Sequence, residues 1–409
     1  MSKKGRKVYR TNSYEKKKRL KKVLRILLGI IVIAALVFVG YSIGKPIMNY
    51  LNSENEAADS AEEPWTPPVT TSDLADSNVQ ADGGQDASVT SSETETADKN
   101  DNSSSGFTSF ILPDNALSNP SLFSELINQA KSDGYTAISV TLKAKGGKIY
   151  YKTTSPMALL DENAVVGVMP IQQISGMIKN SGLKMIAEIN ILEDNNRYGE
   201  YRDGSYHMLD GSTWLDTAAD KGGKPWLSPF EDDTKEFVRY LTDEAAAAGF
   251  DYITVSGLTF PNFRNSDLNY LGDTVKDANR YKKLIELADI AKTAASEHNT
   301  DLFIRINAAD AVYGKCEIFK PAELKDHTLL IDFNSAEITE SIVYKNNEIA
   351  VNELNASDKF KAVFGIIKEQ CGSDIAIIPV ITESGLNHAD YDSLIAEIIS
   401  EGYESYSVK

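Results

Sequence analysis

Four charged residues fall at alternate positions of short apolar runs. They are Lys143 at the end of AISVTLK (137–143), Glu188 in KMIAEINI (184–191), Arg305 in LFIRIN (302–307) and Asp332 in TLLIDFN (328–334). Read at the strand period of two, each shares a face with other polar side chains: Ser139 and Thr141 with Lys143, Asn190 with Glu188, Asn307 with Arg305, and Asn334 with Asp332. The opposite faces are almost wholly apolar, so the polar face points into an interior where an unpaired charge is expensive. Two chemistries fit. Glu188 and Asp332 can act as an acid/base pair on a glycosidic bond, their separation deciding between retention and inversion. Alternatively, Glu188 neutralises Arg305 in a structural ion network. The second is preferred, because a carboxylate locked to a guanidinium is held ionised, the wrong state for a general acid. Two further acids follow strands at the same end, Asp194 in ILED and Glu383 in VITESG. Each is either a substrate ligand or a solvated turn residue.

The long segment 195–230 that follows the Glu188 strand is Gly-rich and carries Tyr198, Tyr201, Tyr206, Trp214, Trp226 and Phe230. A loop of this length in a compact domain is usually functional or disordered, and its aromatics argue against disorder. Trp226 and Phe230, in PWLSPF ahead of a helix, are expected to pack the loop. Trp214 and the tyrosines Tyr198, Tyr201 and Tyr206 are equally open to packing the loop and to stacking on sugar rings. The binding set is therefore Lys143, Asp194, Tyr206, Trp214, Arg305 and Asn307, and the catalytic candidates are Glu188, Asp332 and Glu383. His207, His298, His327 and His388 are scattered without metal-ligand spacing, so no metal or other cofactor is expected. Cys316 and Cys371, the two cysteines, are equally compatible with one disulfide and with two buried thiols.

These residues need elements to position them. From residue 107 onward, apolar runs at 107–112, 137–143, 184–191, 252–257, 302–307, 328–334, 375–381 and 404–408 read as strands. Amphipathic helical patterns fall between them, such as SLFSELINQAKSDG, DDTKEFVRYLTDEAAAAGF and DANRYKKLIELADIAKTAASEHN. Eight strands alternating with helices predict a parallel (β/α)8 barrel of the TIM type, whose chemistry sits at the C-terminal ends of the strands. The pattern stops at the eighth strand, so a closing helix is expected to be missing. An open doubly wound sheet is the alternative, disfavoured because no Gly-rich phosphate loop follows the first strand.

Composition divides the 409-residue chain, of formal net charge −17, into four parts. Residues 1–25 hold twelve Lys or Arg and one acid, Glu15. Residues 26–44, ILLGIIVIAALVFVGYSIG, are nineteen uncharged residues, about the length that crosses a bilayer core. With the basic flank on one side only, the N-terminus is expected in the cytoplasm and the remainder outside, as a single-pass cell-membrane protein. A cleaved signal peptide is less favoured, since the apolar run exceeds a usual signal core and no A-x-A site follows. The basic tail next to a span reads as topology and attraction to anionic lipid, not nucleic-acid binding. Residues 45–105 are expected to be a disordered acidic tether, Ser- and Thr-rich, with thirteen acids against one base over 52–105. The rest, 106–409, is the acidic barrel domain, whose charge argues against nucleic acid as a partner.

GFDYITVSGLTFP (249–261) resembles a segment of a family of bacterial barrel domains described as glycoside hydrolases, distant relatives of α-amylase-type barrels. There the pattern is roughly G-F-D-E-I-Q-x-D-Y-x-R-F-P. AISVTLKAKGGKIYY is similar to the family's strand with V-V-I-D-x-K-D-x-x-G-x-x-x-Y, keeping Lys143, Gly147 and Tyr151. IAEINILED is similar to I-A-R-I-x-x-F-K-D, keeping Asp194, and WLSP (226–229) resembles W-x-x-P. The similarity covers most of 107–409. The departures fall on charged positions: Thr141 for an Asp, Glu188 for an Arg, and Ser256-Gly257-Leu258-Thr259 for Asp-Tyr-x-Arg. The resemblance thus implies a glycoside-hydrolase scaffold whose inherited catalytic site is dismantled, binding carbohydrate such as cell-envelope polysaccharide. An active glycosidase with carboxylates relocated among Glu188, Asp332 and Glu383 is the alternative. A third reading is a non-enzymatic envelope scaffold that binds a protein partner.

Overall fold

The structure, a computed structural model, describes residues 106–161, 163–196, 204–383 and 385–409. Ten strands occur among them: β1 (Thr108–Ile111), β2 (Ala137–Lys143), β3 (Lys184–Asn190), β4 (Tyr252–Ser256), β5 (Asp301–Asn307), β6 (Thr328–Phe333), β7 (Ile342–Tyr344), β8 (Asn347–Ile349), β9 (Ile377–Ile381) and β10 (Tyr406–Val408). Eight of them close a barrel in the order β1-β10-β9-β6-β5-β4-β3-β2, every pair parallel. The expected barrel is therefore present, with strand ends within about two residues of the sequence reading. The antiparallel hairpin β7–β8 lies outside it.

The helices are α1 (Pro120–Ser132), α2 (Ile171–Ser181), α3 (Asp232–Ala247), α4 (Tyr281–Ser296), α5 (Ala308–Val312), α6 (Ala356–Cys371) and α7 (His388–Ser400). Several begin on an asparagine whose side chain accepts backbone N–H groups: Asn119 for α1, Asn307 for α5, Asn355 for α6 and Asn387 for α7. This satisfies donors that a first helical turn leaves unpaired. No described helix follows β10.

Two apolar clusters result. The larger lies between the barrel wall and the helices. The smaller fills the lower barrel with Phe107, Ala137, Ile186, Phe303, Leu330 and Val380. There the Tyr252 ring lies 5.0 Å from Phe303 and 5.1 Å from Phe107. These rings pack the interior near the N-terminal ends of the strands, and a cavity among the described residues lies at the opposite end, where the polar side chains collect.

No described helix is long and apolar enough to cross a membrane; residues 1–105, with the apolar run 26–44, lie outside the described residues.

Candidate functional site

At the C-terminal ends of the strands is a cavity of about 770 Å³. Its wall includes Thr141, Glu188, Asn190, Ser256, Arg305 and Asp332. Register explains the convergence: Thr141 stands beside Glu188, Asn190 beside Ser256, and Asn307 beside Asp332 on neighbouring strands. All three pairs are on the inward face that alternation assigns.

Arg305 is the hub. Its Nη1 lies 3.3 Å from Glu188 Oε2, its Nε donates to Asp332 Oδ2 at 3.2 Å, and Nη2 is 3.1 Å from the same oxygen. That last nitrogen is buried and off line for a hydrogen bond. Burial alone would lower the Arg305 pKa, but the two carboxylates outweigh it and hold the pKa above the ordinary guanidinium value. Glu188 Oε1 also accepts from Ser139 Oγ at 2.6 Å, and Lys409 Nζ stands 3.6 Å from Asp332. Each carboxylate thus already has a cationic partner inside the barrel.

Lys143 does not join this network, a correction to the period-two reading. The register of β2 against β3 shifts between Thr141 and Lys143, which turns the lysine aside. Its ammonium lies 2.8 Å from Asp194 Oδ2 and donates to the carbonyls of Asn190 at 2.8 Å and Ile191 at 3.3 Å. Both partners of the ion pair are 1% exposed. Lys143 and Asp194 therefore form an internal clamp, and Lys143 also borders the mouth cavity. Gly147, at φ +88°, lies against this clamp, where an added Cβ would fall 2.1 Å from Asp194 Oδ1.

Tyr206 and Trp214 are also corrected. Trp214 is fully buried and donates from Nε1 to Asp267 Oδ2 at 2.8 Å. Tyr206 is 2% exposed, 6.0 Å from the Trp214 ring and 5.2 Å from Phe263. Neither offers a face to a sugar; they fold the long loop onto the barrel together with Phe230. Tyr198 and Tyr201 lie outside the described residues. Glu383 is exposed beyond β9 and is not part of the cavity wall. Asn307 does line the cavity, but its side chain is engaged twice, capping α5 through Asp310 N–H and donating to Glu337 Oε2 at 2.7 Å. Cys316 and Cys371 are separate thiols, both pushed up to about 11 by burial.

Sequence reasoning missed three groups at the mouth. Asp114, beyond β1, accepts from Thr141 Oγ1 at 2.9 Å. Lys145 and Glu193 pair across the rim at 2.5 Å, and Lys409 reaches the cavity from beyond β10. All three sit outside strand periodicity, which carries no signal for loop residues.

A sequence family described as "Putative glycosyl hydrolase domain" matches residues 110–318, half of the chain. The chain belongs to this family. No curated protein matches it. Among solved structures, the family member is similar to the glycoside hydrolase domain of PgaB (BpsB) from Bordetella bronchiseptica. That likeness has 12% identity and a TM-score of 0.49, covering 75% of this chain and 93% of that one. It is also similar to the catalytic domain of β-amylase from Paenibacillus polymyxa, at 12% identity and TM-score 0.47 over 74% and 92% of the two chains. A hypothetical protein from Ruminiclostridium thermocellum gives 15% identity and TM-score 0.40, over 48% and 96%.

Proposed function

We propose that this barrel binds carbohydrate at its mouth and does not hydrolyse it. One observation carries the reading: a single guanidinium, Arg305, takes both interior carboxylates, Glu188 and Asp332. Thr141 and Ser256, which replace acids of the family pattern, line the same cavity. A general acid must be free to reach the leaving oxygen, and both carboxylates are already turned onto the Arg305 guanidinium. The polar lining still supplies hydroxyl, amide and charged groups suited to sugar hydroxyls. We also infer that residues 26–44 anchor the chain in the cell membrane and place 106–409 outside, where envelope polysaccharide is the available ligand.

The test uses the full-length chain in detergent with its Glu188→Gln and Asp332→Asn variants. Soluble starch, chitin oligosaccharides and polygalacturonate are the probes, and both retention and new reducing ends are scored. Retention without release is expected for the wild type and both variants. Release by the wild type that either folded variant abolishes would sink this reading and establish a glycosidase.

A further inference from the structure

In a (β/α)8 barrel each stretch of outer wall is covered by helices. Among the described residues none covers β1 and β10 between α1 and α7, and a groove of about 520 Å³ occupies that place. Three half-exposed tyrosines line it: Tyr135 beyond α1, Tyr391 on α7 and Tyr406 on β10. Exposed Asp133 and Asp392 line it as well. The groove is linked to the mouth through Phe110, which lines the mouth cavity and stacks on Tyr135 with ring centroids 5.4 Å apart.

We propose that this side groove is a second carbohydrate-binding surface, continuing the mouth cavity, so that the ligand is an extended glycan chain and not a short oligosaccharide. The inference rests on the carbohydrate reading of the mouth. Its chemistry is amphipathic in the way a sugar is. The C–H face of a pyranose suits an aromatic face, whose π-electrons are negative, while its hydroxyls suit phenols and carboxylates. Burial raises the pKa of all three phenols, so they remain protonated; the Tyr391 hydroxyl is engaged with Tyr135, which leaves the Tyr135 and Tyr406 O–H groups to donate. Asp133 already accepts from Gln129 at 2.9 Å, and Asp392 lies 3.8 Å from His388 Nε2; each carboxylate retains acceptor sites. An apolar helix laid in the groove would instead bury these phenols and approach two carboxylates without matching donors.

The test compares full-length wild type with Tyr391→Ala and Ala396→Glu. Ala396 is an exposed lining residue of α7, so a longer charged side chain there obstructs the groove without entering the core. Affinity is measured for chitin oligosaccharides of three sugars and for long, water-soluble glycol chitin, with soluble starch and maltotriose as the parallel pair. For the pair that binds, each variant is expected to lose about tenfold on the polymer, one good aromatic contact's worth, and nothing on the trisaccharide. Wild type that binds polymer and trisaccharide equally, or variants that bind polymer as wild type does, would overturn the groove while leaving the mouth reading intact. Wild type that binds none of the four would overturn the groove, and absence of polygalacturonate retention as well would remove the mouth reading. A change confined to sedimentation behaviour would assign the groove to an interface between copies and overturn it too.

Discussion

The Glu188–Arg305–Asp332 triad shows how one residue's neighbours decide between two chemistries. The Glu188 side chain is 8% exposed and that of Arg305 12%, so the contact between them is largely desolvated. Breaking a buried pair from one side leaves a charge uncompensated and costs about 3–5 kcal/mol. Arg305 keeps Asp332 when Glu188 becomes Gln, so the lower end applies: Glu188→Gln is expected to destabilise the fold by about 3 kcal/mol, read as a shift in urea midpoint. A catalytic acid held in place at a stability cost would give the opposite sign, since its removal relieves strain. At this scale the sequence was partly legible. Alternation placed Glu188, Arg305 and Asp332 on one interior face, because a strand offers its side chains no other choice. It did not show that Lys143 turns from that network to Asp194, because a register shift between two residues leaves no mark in hydrophobic periodicity. The burial of Trp214 was equally hidden, since its partner Asp267 is 53 positions away.

Between elements, the Lys143–Asp194 clamp ties the end of β2 to the loop leaving β3, and both side chains are nearly inaccessible. Asp194→Asn keeps an acceptor for Asn196 N–H, now at 2.9 Å, but removes the lysine's counter-charge. A loss of about 3–5 kcal/mol is expected from thermal or urea unfolding. Adding Lys143→Met should restore most of it, because a buried pair replaced from both sides leaves no stranded charge. Equal losses in the single and double variants would mean that Asp194 acts through its backbone contacts alone. Among elements, the eight barrel strands were legible as separate apolar runs bounded by Gly, Asn and Pro. Helix α2 was not singled out, although Ile171, Ile174 and Ile178 keep helical spacing, because its polar residues and Gly176 dilute the pattern. The β7–β8 hairpin escaped for a different reason: its strands are three residues each, too short for alternation to register, and turn on Lys345 and Asn346 at positive φ.

For the whole molecule, fold and topology rest on different parts of the chain. The barrel is specified by 106–409, whereas the proposed placement rests on the asymmetry of residues 1–44. Twelve basic residues lie on one side of nineteen uncharged ones. Each charge resists translocation, so under this proposal the basic side is retained inside and the opposite flank crosses. Protease added to intact cells is therefore expected to degrade the barrel and spare an epitope tag at residue 1, while alkaline carbonate leaves the tagged fragment in the membrane pellet. Replacing the basic residues of 1–25 by Gln and Asn while adding lysines after residue 44 should reverse the protection, because the bias acts through position and not through barrel sequence. Loss of the tag from the pellet in the unmodified protein would instead mark 26–44 as a cleaved signal. The barrel would then be released, and the glycan surfaces proposed at the mouth and side groove would no longer be confined near the membrane.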